Sequence, residues 1–427
     1  MPPRYRDLLR RNRNFRLLWM AQVVSENGDW FYTIAIYSLL LEVTGSAKSI
    51  GFAFILQVLP QFFIAPAAGI LNDRISRRKL MMFADWTRAV IVLCMLAARS
   101  PGAIWLLYLL LFFETLMVGL FEPARNSVIP NVVGEREVVG ANTLAAITWS
   151  FDFAAGAALG GLAAAFLGRD AIFVLDSLSF VVSALLIRRM RFIEPHVENL
   201  APVRARDLLN LAPLSEGLRY VRGNPRLAAT LFAKCGLGIL GANWVIIPVF
   251  GERIFPVRLP RLDGQKAAML GMSALMTSRG VGAILGPLAG ARWAGESMVR
   301  LRTAIGLGFA AAGLGYIGLG FSSALGWAAL ALILAHGGLS MVWVFSTTML
   351  QLQAGDRFRG RVFSAEFGIS VLTMSLSTYL AGKLVDQGVP LRTVAILGGC
   401  AMLVPLLLWI WAQRFWRGSQ GQKAYNQ

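Results

Sequence analysis

Charge is what this 427-residue sequence has least of. Asp, Glu, Lys and Arg together make up 15% of it, against about 25% in an ordinary soluble domain. Histidine is nearly absent, at two residues, and there are three cysteines. Cys94, Cys235 and Cys400 each lie inside an apolar run without ligand spacing, so neither a metal site nor a disulfide framework is expected. His196 and His336 stand far apart, and no nucleophile–base set accompanies them. The phosphate-cradling pattern GxxxxGK[ST] is missing as well. These absences argue against an enzyme, an encoded ATPase and any cofactor.

What is present is apolar: 56% of the residues are hydrophobic, and the mean hydropathy is +0.60. A soluble particle of this size cannot hide so much apolar surface, so lipid is the expected solvent. A spanning helix takes about 20 mostly apolar residues. Twelve stretches qualify: 15–41, 48–71, 80–98, 103–122, 140–167, 170–187, 227–251, 267–291, 303–321, 325–350, 362–382 and 390–412. They are far too long for the alternating segments of a transmembrane barrel. In hydrocarbon the backbone must then bond to itself, which requires helices.

The positive charges set the orientation. With both termini in the cytoplasm, 29 of the 41 Lys and Arg residues fall on the inner side, nine outside and three within spans. This asymmetry accounts for the net +18, so no nucleic-acid partner is expected. The predicted location is the inner (plasma) membrane.

The longest polar interruption, 188–226, falls between spans six and seven. Leu211, Leu214, Leu218 and Val221 share one helical face there, beside Arg219 and Arg222, which predicts an amphipathic helix on the membrane surface. The expected organisation is therefore a first bundle at 1–187, a cytoplasmic linker at 188–226, a second bundle at 227–412 and a tail at 413–427. A repeat supports it. Pro66-Ala-Ala-Gly69 and Pro287-Leu-Ala-Gly290 lie 221 residues apart, as do Gly134-Glu-Arg136 and Gly355-Asp-Arg357. Parallel six-span repeats around a central site are a transporter architecture.

After span two comes Gly69-Ile-Leu-Asn-Asp73-Arg74-Ile-Ser76-Arg77-Arg78-Lys79. A tight inner turn needs small residues, and Asp73 has the chemistry to accept from a helix start or to pair with an arginine. This segment resembles the loop signature of the major facilitator superfamily, G-x-L-x-D-R-x-G-R-R/K, with Ser76 in place of glycine. The second copy, at 290–300, lacks the acid. Further stretches are similar to the branch containing enterobactin exporters and macrolide-efflux proteins. They are NRNFRLLW at 12–19, Gly28-Asp29, TGS at 44–46, Glu216-Gly-Leu-Arg-Tyr-Val, Asn224-Pro225 and Arg359-Gly-Arg361-Val-Phe-Ser364. The Gly-Pro pair that exporters of the superfamily often carry in span five is missing, the run being Ala155-Gly156-Ala157-Ala158. The resemblance implies an all-α fold of twelve transmembrane helices in two six-helix bundles. It also implies export of a small molecule by exchange with protons.

Ionisable groups at bilayer depth are functional candidates by default. Glu26 and Asp29 are three apart in span one and share a face, as a pair of proton carriers would. Asp152 in span five, Glu114 in span four and His336 in span ten are further proton or substrate candidates. Arg279 in span eight is a candidate counter-charge and needs an acid, Asp152 or Glu26. Asp85 and Arg88 read as an i,i+3 ion pair for structure or gating, with Glu114 as the alternative partner of Arg88. Lys234 is placed to snorkel. Glu366 is expected to cap its helix or pair with the inner arginines. Gly69, Asp73, Arg74, Arg77 and Arg78 form the expected inner latch, matched in the second half by Arg357, Arg359 and Arg361. Seven intramembrane acids against three bases favour proton coupling and a neutral or cationic amphiphilic cargo. An importer, a lipid flippase and a non-transporting sensor are the competing expectations. The expected partners are the cargo, protons and membrane lipid, with the chain as a monomer.

Overall fold

The computed structural model describes residues 5–98, 100–134, 137–194, 219–257, 260, 263–295, 297–354 and 356–415, and among these there is no strand. The expected amphipathic stretch lies mostly outside them, as do the side chains of Asp73, Arg357, Arg359 and Arg361.

Among the described residues, a short leading helix, Tyr5–Arg11, is followed by twelve long helical elements. They are α1 (Arg13–Thr44), α2 (Ala47–Arg74), α3 (Arg77–Cys94), α4 (Ile104–Val132), α5 (Val138–Leu167) and α6 (Arg169–Arg188), then α7 (Pro225–Ile254), α8 (Gly264–Ala294), α9 (Met298–Phe321), α10 (Leu325–Gln353), α11 (Asp356–Asp386) and α12 (Leu391–Ala412). Eleven are long and apolar enough to cross a membrane. The twelfth, α1, spans 32 residues, but Glu26, Asp29 and their polar neighbours dilute its apolar character.

Two spans depart from the expected pattern. The apolar run of α4 stops at Glu122, where Pro123 suggests an end, yet the helix continues through Pro123 and Pro130 to Val132. Proline is tolerated inside membrane helices because neighbours satisfy the freed backbone. By contrast, α7 is interrupted. Its α-helical start, Pro225–Gly236, gives way to a 3₁₀ stretch, Leu237–Ala242, then to Asn243–Val249 and a π turn at Phe250–Ile254. Hydroxyls of α11 meet the displaced carbonyls: Ser377 Oγ donates to Gly238 O at 2.5 Å and Thr378 Oγ1 to Gly241 O at 2.7 Å.

The described residues form two compact units, one within Met1–Asn210 plus Gly251–Thr277, the other within Leu211–Phe250 plus Ser278–Gln427. Segment 251–277 joins the first unit through specific bonds. Arg253 Nη2 donates to Gly45 O at 2.7 Å, and Ser273 Oγ donates to Ala157 O at 2.6 Å. Helix pairing is equivalent in the two sets of six. In the first unit α1 packs on α5, and α3 packs on α4 and α6; in the second α7 packs on α11, and α9 packs on α10 and α12. The α1–α5 contact is close because α5 presents glycine to it. A Cβ on Gly156 would fall 2.8 Å from Trp30 Cβ, and one on Gly160 2.8 Å from Phe31 Cα.

Candidate transport site

In the first unit the buried charges organise around two arginines. Arg88 of α3 donates from Nη2 to Asp29 Oδ1 of α1 at 2.6 Å and from Nε to Glu114 Oε1 of α4 at 2.8 Å. Its guanidinium lies 3.9 Å from the centre of the Phe180 ring on α6. Tyr32 adds a hydrogen bond to Glu114 Oε2 at 3.3 Å. A guanidinium taken out of water is tolerable only with its N–H groups partnered, and here carboxylates from two helices supply that partnership. The Asp29 side chain is 29% exposed, whereas those of Arg88 and Glu114 are 4% exposed. Asp29 is thus the most accessible member of the network.

The expected Asp85–Arg88 pair does not form. Two carboxylates from neighbouring helices fill the Arg88 fork, and Asp85 instead accepts from Ser183 Oγ of α6 at 2.6 Å. Glu114 is the partner that Arg88 takes. Asp176, fully buried on α6, accepts from Ser179 Oγ at 3.3 Å.

Arg125 is the second centre, and the sequence reading missed it. With span four ended at residue 122, Arg125 falls in a loop; on the longer α4 it is a largely buried helical cation. Its Nη1 meets Glu26 Oε1 at 3.0 Å and its Nη2 meets Glu122 Oε2 at 2.8 Å. Gln22 Nε2 also donates to Glu26 Oε1, at 2.9 Å. Glu26 and Asp29 therefore each answer to a different arginine. The signal was available: an arginine two residues past a proline, in a span rich enough to continue.

Asp152 on α5 is held differently. It accepts from Asn27 Nδ2 of α1 at 2.9 Å and has no cationic partner among the described residues. Glu26 is near enough to influence it electrostatically. Beside it, Trp30, Trp149 and Phe153 form an aromatic group, with Trp30 edge-on to Phe153 at 4.3 Å and Trp149 stacked on Phe153 at 5.9 Å. Trp149 is half exposed.

The second unit carries its charges separately. Lys234, expected to snorkel, is buried on α7. It meets Glu366 of α11 at 3.2 Å and Thr347 Oγ1 at 2.8 Å, and stands 4.1 Å from the Trp343 ring centre. Glu366 thus binds this lysine on the adjoining helix, and the inner arginines Arg357, Arg359 and Arg361, its other expected partners, have side chains outside the described residues. Arg279 stacks on Trp244 at 3.8 Å. His336 and Tyr316, both buried, share a 2.9 Å hydrogen bond between Nε2 and the phenol oxygen.

At the α2–α3 turn, Ser76 caps α3. Glu194, which the sequence reading did not single out, stands at this helix start: it accepts from Ser76 Oγ at 2.5 Å and from Arg77 N at 2.7 Å. Arg77 Nη1 reaches Ser127 O at 3.0 Å and Asn131 Oδ1 at 3.2 Å on α4, and Arg78 Nη1 reaches Met190 O at 2.7 Å. The Gly69 position is open, with nothing within 4 Å of where a Cβ would stand. Arg74 ends α2.

Comparison with known proteins gives a consistent picture. The profile of the Major Facilitator Superfamily matches residues 18–365. The uncharacterized MFS-type transporter YkuC of Bacillus subtilis (strain 168) is 27% identical over 56% of this chain and 57% of its own length. Macrolide efflux protein A of Streptococcus pyogenes is 26% identical over 57% of this chain and 58% of its own. The putative bacilysin exporter BacE of Bacillus amyloliquefaciens is 24% identical over 90% and 92%. The matched segments span 57–64% of the first curated relatives' lengths. Among solved structures, the nucleoside transporter NupG aligns at a TM-score of 0.71 and 13% identity, covering 93% of this chain and 98% of that one. A bacterial homologue of the iron transporter ferroportin, in an inward-facing state, aligns at 0.69 and 15%, covering 94% and 98%. These structural likenesses speak to fold alone. The matching profile covers most of a chain that folds as twelve such helices, and so the chain belongs to the Major Facilitator Superfamily.

Proposed function

We propose that this chain exports a small amphiphilic molecule across the plasma membrane in exchange for protons. Two six-helix bundles, 1–187 and 227–412, rock around a central site, with both termini in the cytoplasm and the chain acting as a monomer. The relatives named for macrolide efflux and bacilysin export favour outward transport.

The observation that carries the proton role is the setting of Asp152. It is a buried carboxyl bound by one neutral donor, beside Glu26 and an aromatic group. An acid held without a fixed cation can gain and lose a proton as its surroundings change. Asp29 and Glu26 keep their arginines in one state and trade them for protons in the other. Trp30, Trp149 and Phe153 offer flat apolar surface for a large cargo, and Asp152 beside them suits a neutral or cationic one. Arg279 and His336 take part from the second half. Asp73 latches the outward-facing state, with Arg357, Arg359 and Arg361 as its counterpart.

The test is transport by purified protein in sealed liposomes. An acid pulse across a library of apolar amines, macrolides and siderophores should move at least one class outward, and Asp152→Asn should abolish the dependence on the pulse. No flux of any class under that gradient would sink the reading. Inward movement, or phospholipid transfer without cargo, would replace it with an importer or a flippase. A binding signal without flux would leave a sensor.

A further inference from the structure

Two grooves flank the last turns of α12 in the second unit, and Trp409 belongs to both. One, about 370 Å³, lies between α7 and α12 and is lined by Ala229, Phe232, Gly236, Val404, Leu408 and Trp411. The other, about 560 Å³, lies between α9 and α12 and is lined by Leu307, Ala310, Leu406 and Ile410 together with the polar Thr303 and Gln413. Phe232 and Leu408 are 64% and 59% exposed, so the first groove opens outward from the helices. Trp409 is fixed between the grooves by its Nε1, which donates to Arg302 O at 2.9 Å.

Guanidinium groups stand beside each groove: Arg226 and Arg414 both contact Phe415 at the first, and Arg302 lines the second. Arg226 starts α7, and its Nε donates to Phe415 O at 2.9 Å. Arg414 lies 3.5 Å from the Trp411 ring centre and 5.1 Å from that of Phe415. Arg302 lines the second groove and stands close enough to Arg226 for the two charges to repel. Neither Arg226 nor Arg414 enters an ion pair with any described residue. Arg226 and Arg414, cations beside an apolar channel, suit an anion carrying an apolar body.

We propose that this end of α12 binds one anionic diacyl phospholipid. The phosphate meets Arg226, Arg302 and Arg414, and one acyl chain lies in each groove, astride Trp409. Two channels that share Trp409 and are flanked by these cations match a molecule with two chains and one charged head. A zwitterionic head brings its own cation toward the arginines and is disfavoured. Each basic residue near a membrane surface contributes about fivefold to anionic-lipid binding, and tryptophan suits the headgroup level. The proposal holds whatever the cargo or direction of transport.

Native mass spectrometry of the full-length protein, titrated with phosphatidylglycerol or phosphatidylcholine of identical chains, tests it. The wild-type protein should hold phosphatidylglycerol in preference. Arg414→Gln, which leaves the Arg226–Phe415 bond untouched, should weaken that lipid about fivefold and leave phosphatidylcholine unchanged; Arg414→Lys should restore it. Filling both grooves with Ala229→Trp and Ala310→Trp should weaken both lipids. Single-chain lysophosphatidylglycerol should bind less well than the diacyl form. Equal retention of the two headgroups, or no loss in Arg414→Gln, overturns the site; equal binding of the lyso form overturns the two-groove assignment.

Discussion

At the scale of the residue, the first unit is governed by which acid each arginine takes. Arg88 serves carboxylates on two helices, and removing it leaves Glu114 almost fully buried without a cation. Breaking a buried pair on one side costs about 3–5 kcal/mol. Arg88→Leu should therefore lower stability by about that amount, read as the midpoint of unfolding in a detergent titration, while the joint change Arg88→Leu with Glu114→Leu and Asp29→Asn recovers most of it. Asp29→Asn alone should be milder, because Asp29 is the least buried member of the network. The candidates themselves were legible in the sequence, since an acid inside an apolar run stands out. Their pairing was not. The i,i+3 rule favoured Asp85 for Arg88, but two head-on partners on other helices outcompete one neighbour on the same helix, and only packing reveals those helices. Arg125 escaped notice because Pro123 reads as a stop in water and not in lipid.

Elements were the most legible level. Twelve helices follow from run length alone, whereas the close approach of α5 to α1 through Gly156 and Gly160 appears only in the packing. Gly156→Leu would drive a side chain into Trp30, and overpacking of this kind costs about 1–3 kcal/mol; a lowered thermal midpoint in detergent is the expected result. The break in α7 was not foreseen, because an apolar run gives no sign of where backbone bonds shift. It depends on hydroxyls delivered by a helix more than a hundred residues away, Ser377 and Thr378. Replacing them with Ala and Val would leave two carbonyls without partners, at about 1–3 kcal/mol each. Hydrogen exchange should then rise at residues 237–242 while the ends of α7 stay protected.

For the whole molecule, the loop signature and the span count led to the superfamily, whereas cargo and direction are written in no motif. Asp73→Asn should leave folding intact and abolish efflux from cells; normal efflux would remove the proposed latch. The assignment of the α3 start to Glu194 adds a contrast: Glu194→Gln should loosen the turn and lower stability by about 1 kcal/mol. The two-arginine arrangement also bears on how the chain is made. Asp29 enters the bilayer on the least apolar span, and the cation that answers it arrives two spans later, on α3. Each charge stranded at mid-membrane costs about 2.5–3.5 kcal/mol, so nascent α1 is held in place by helices not yet synthesised. A chain truncated after α2 should slip partly out of the lipid, as glycosylation-site mapping would register. One truncated after α4, with both arginines delivered, should stay anchored.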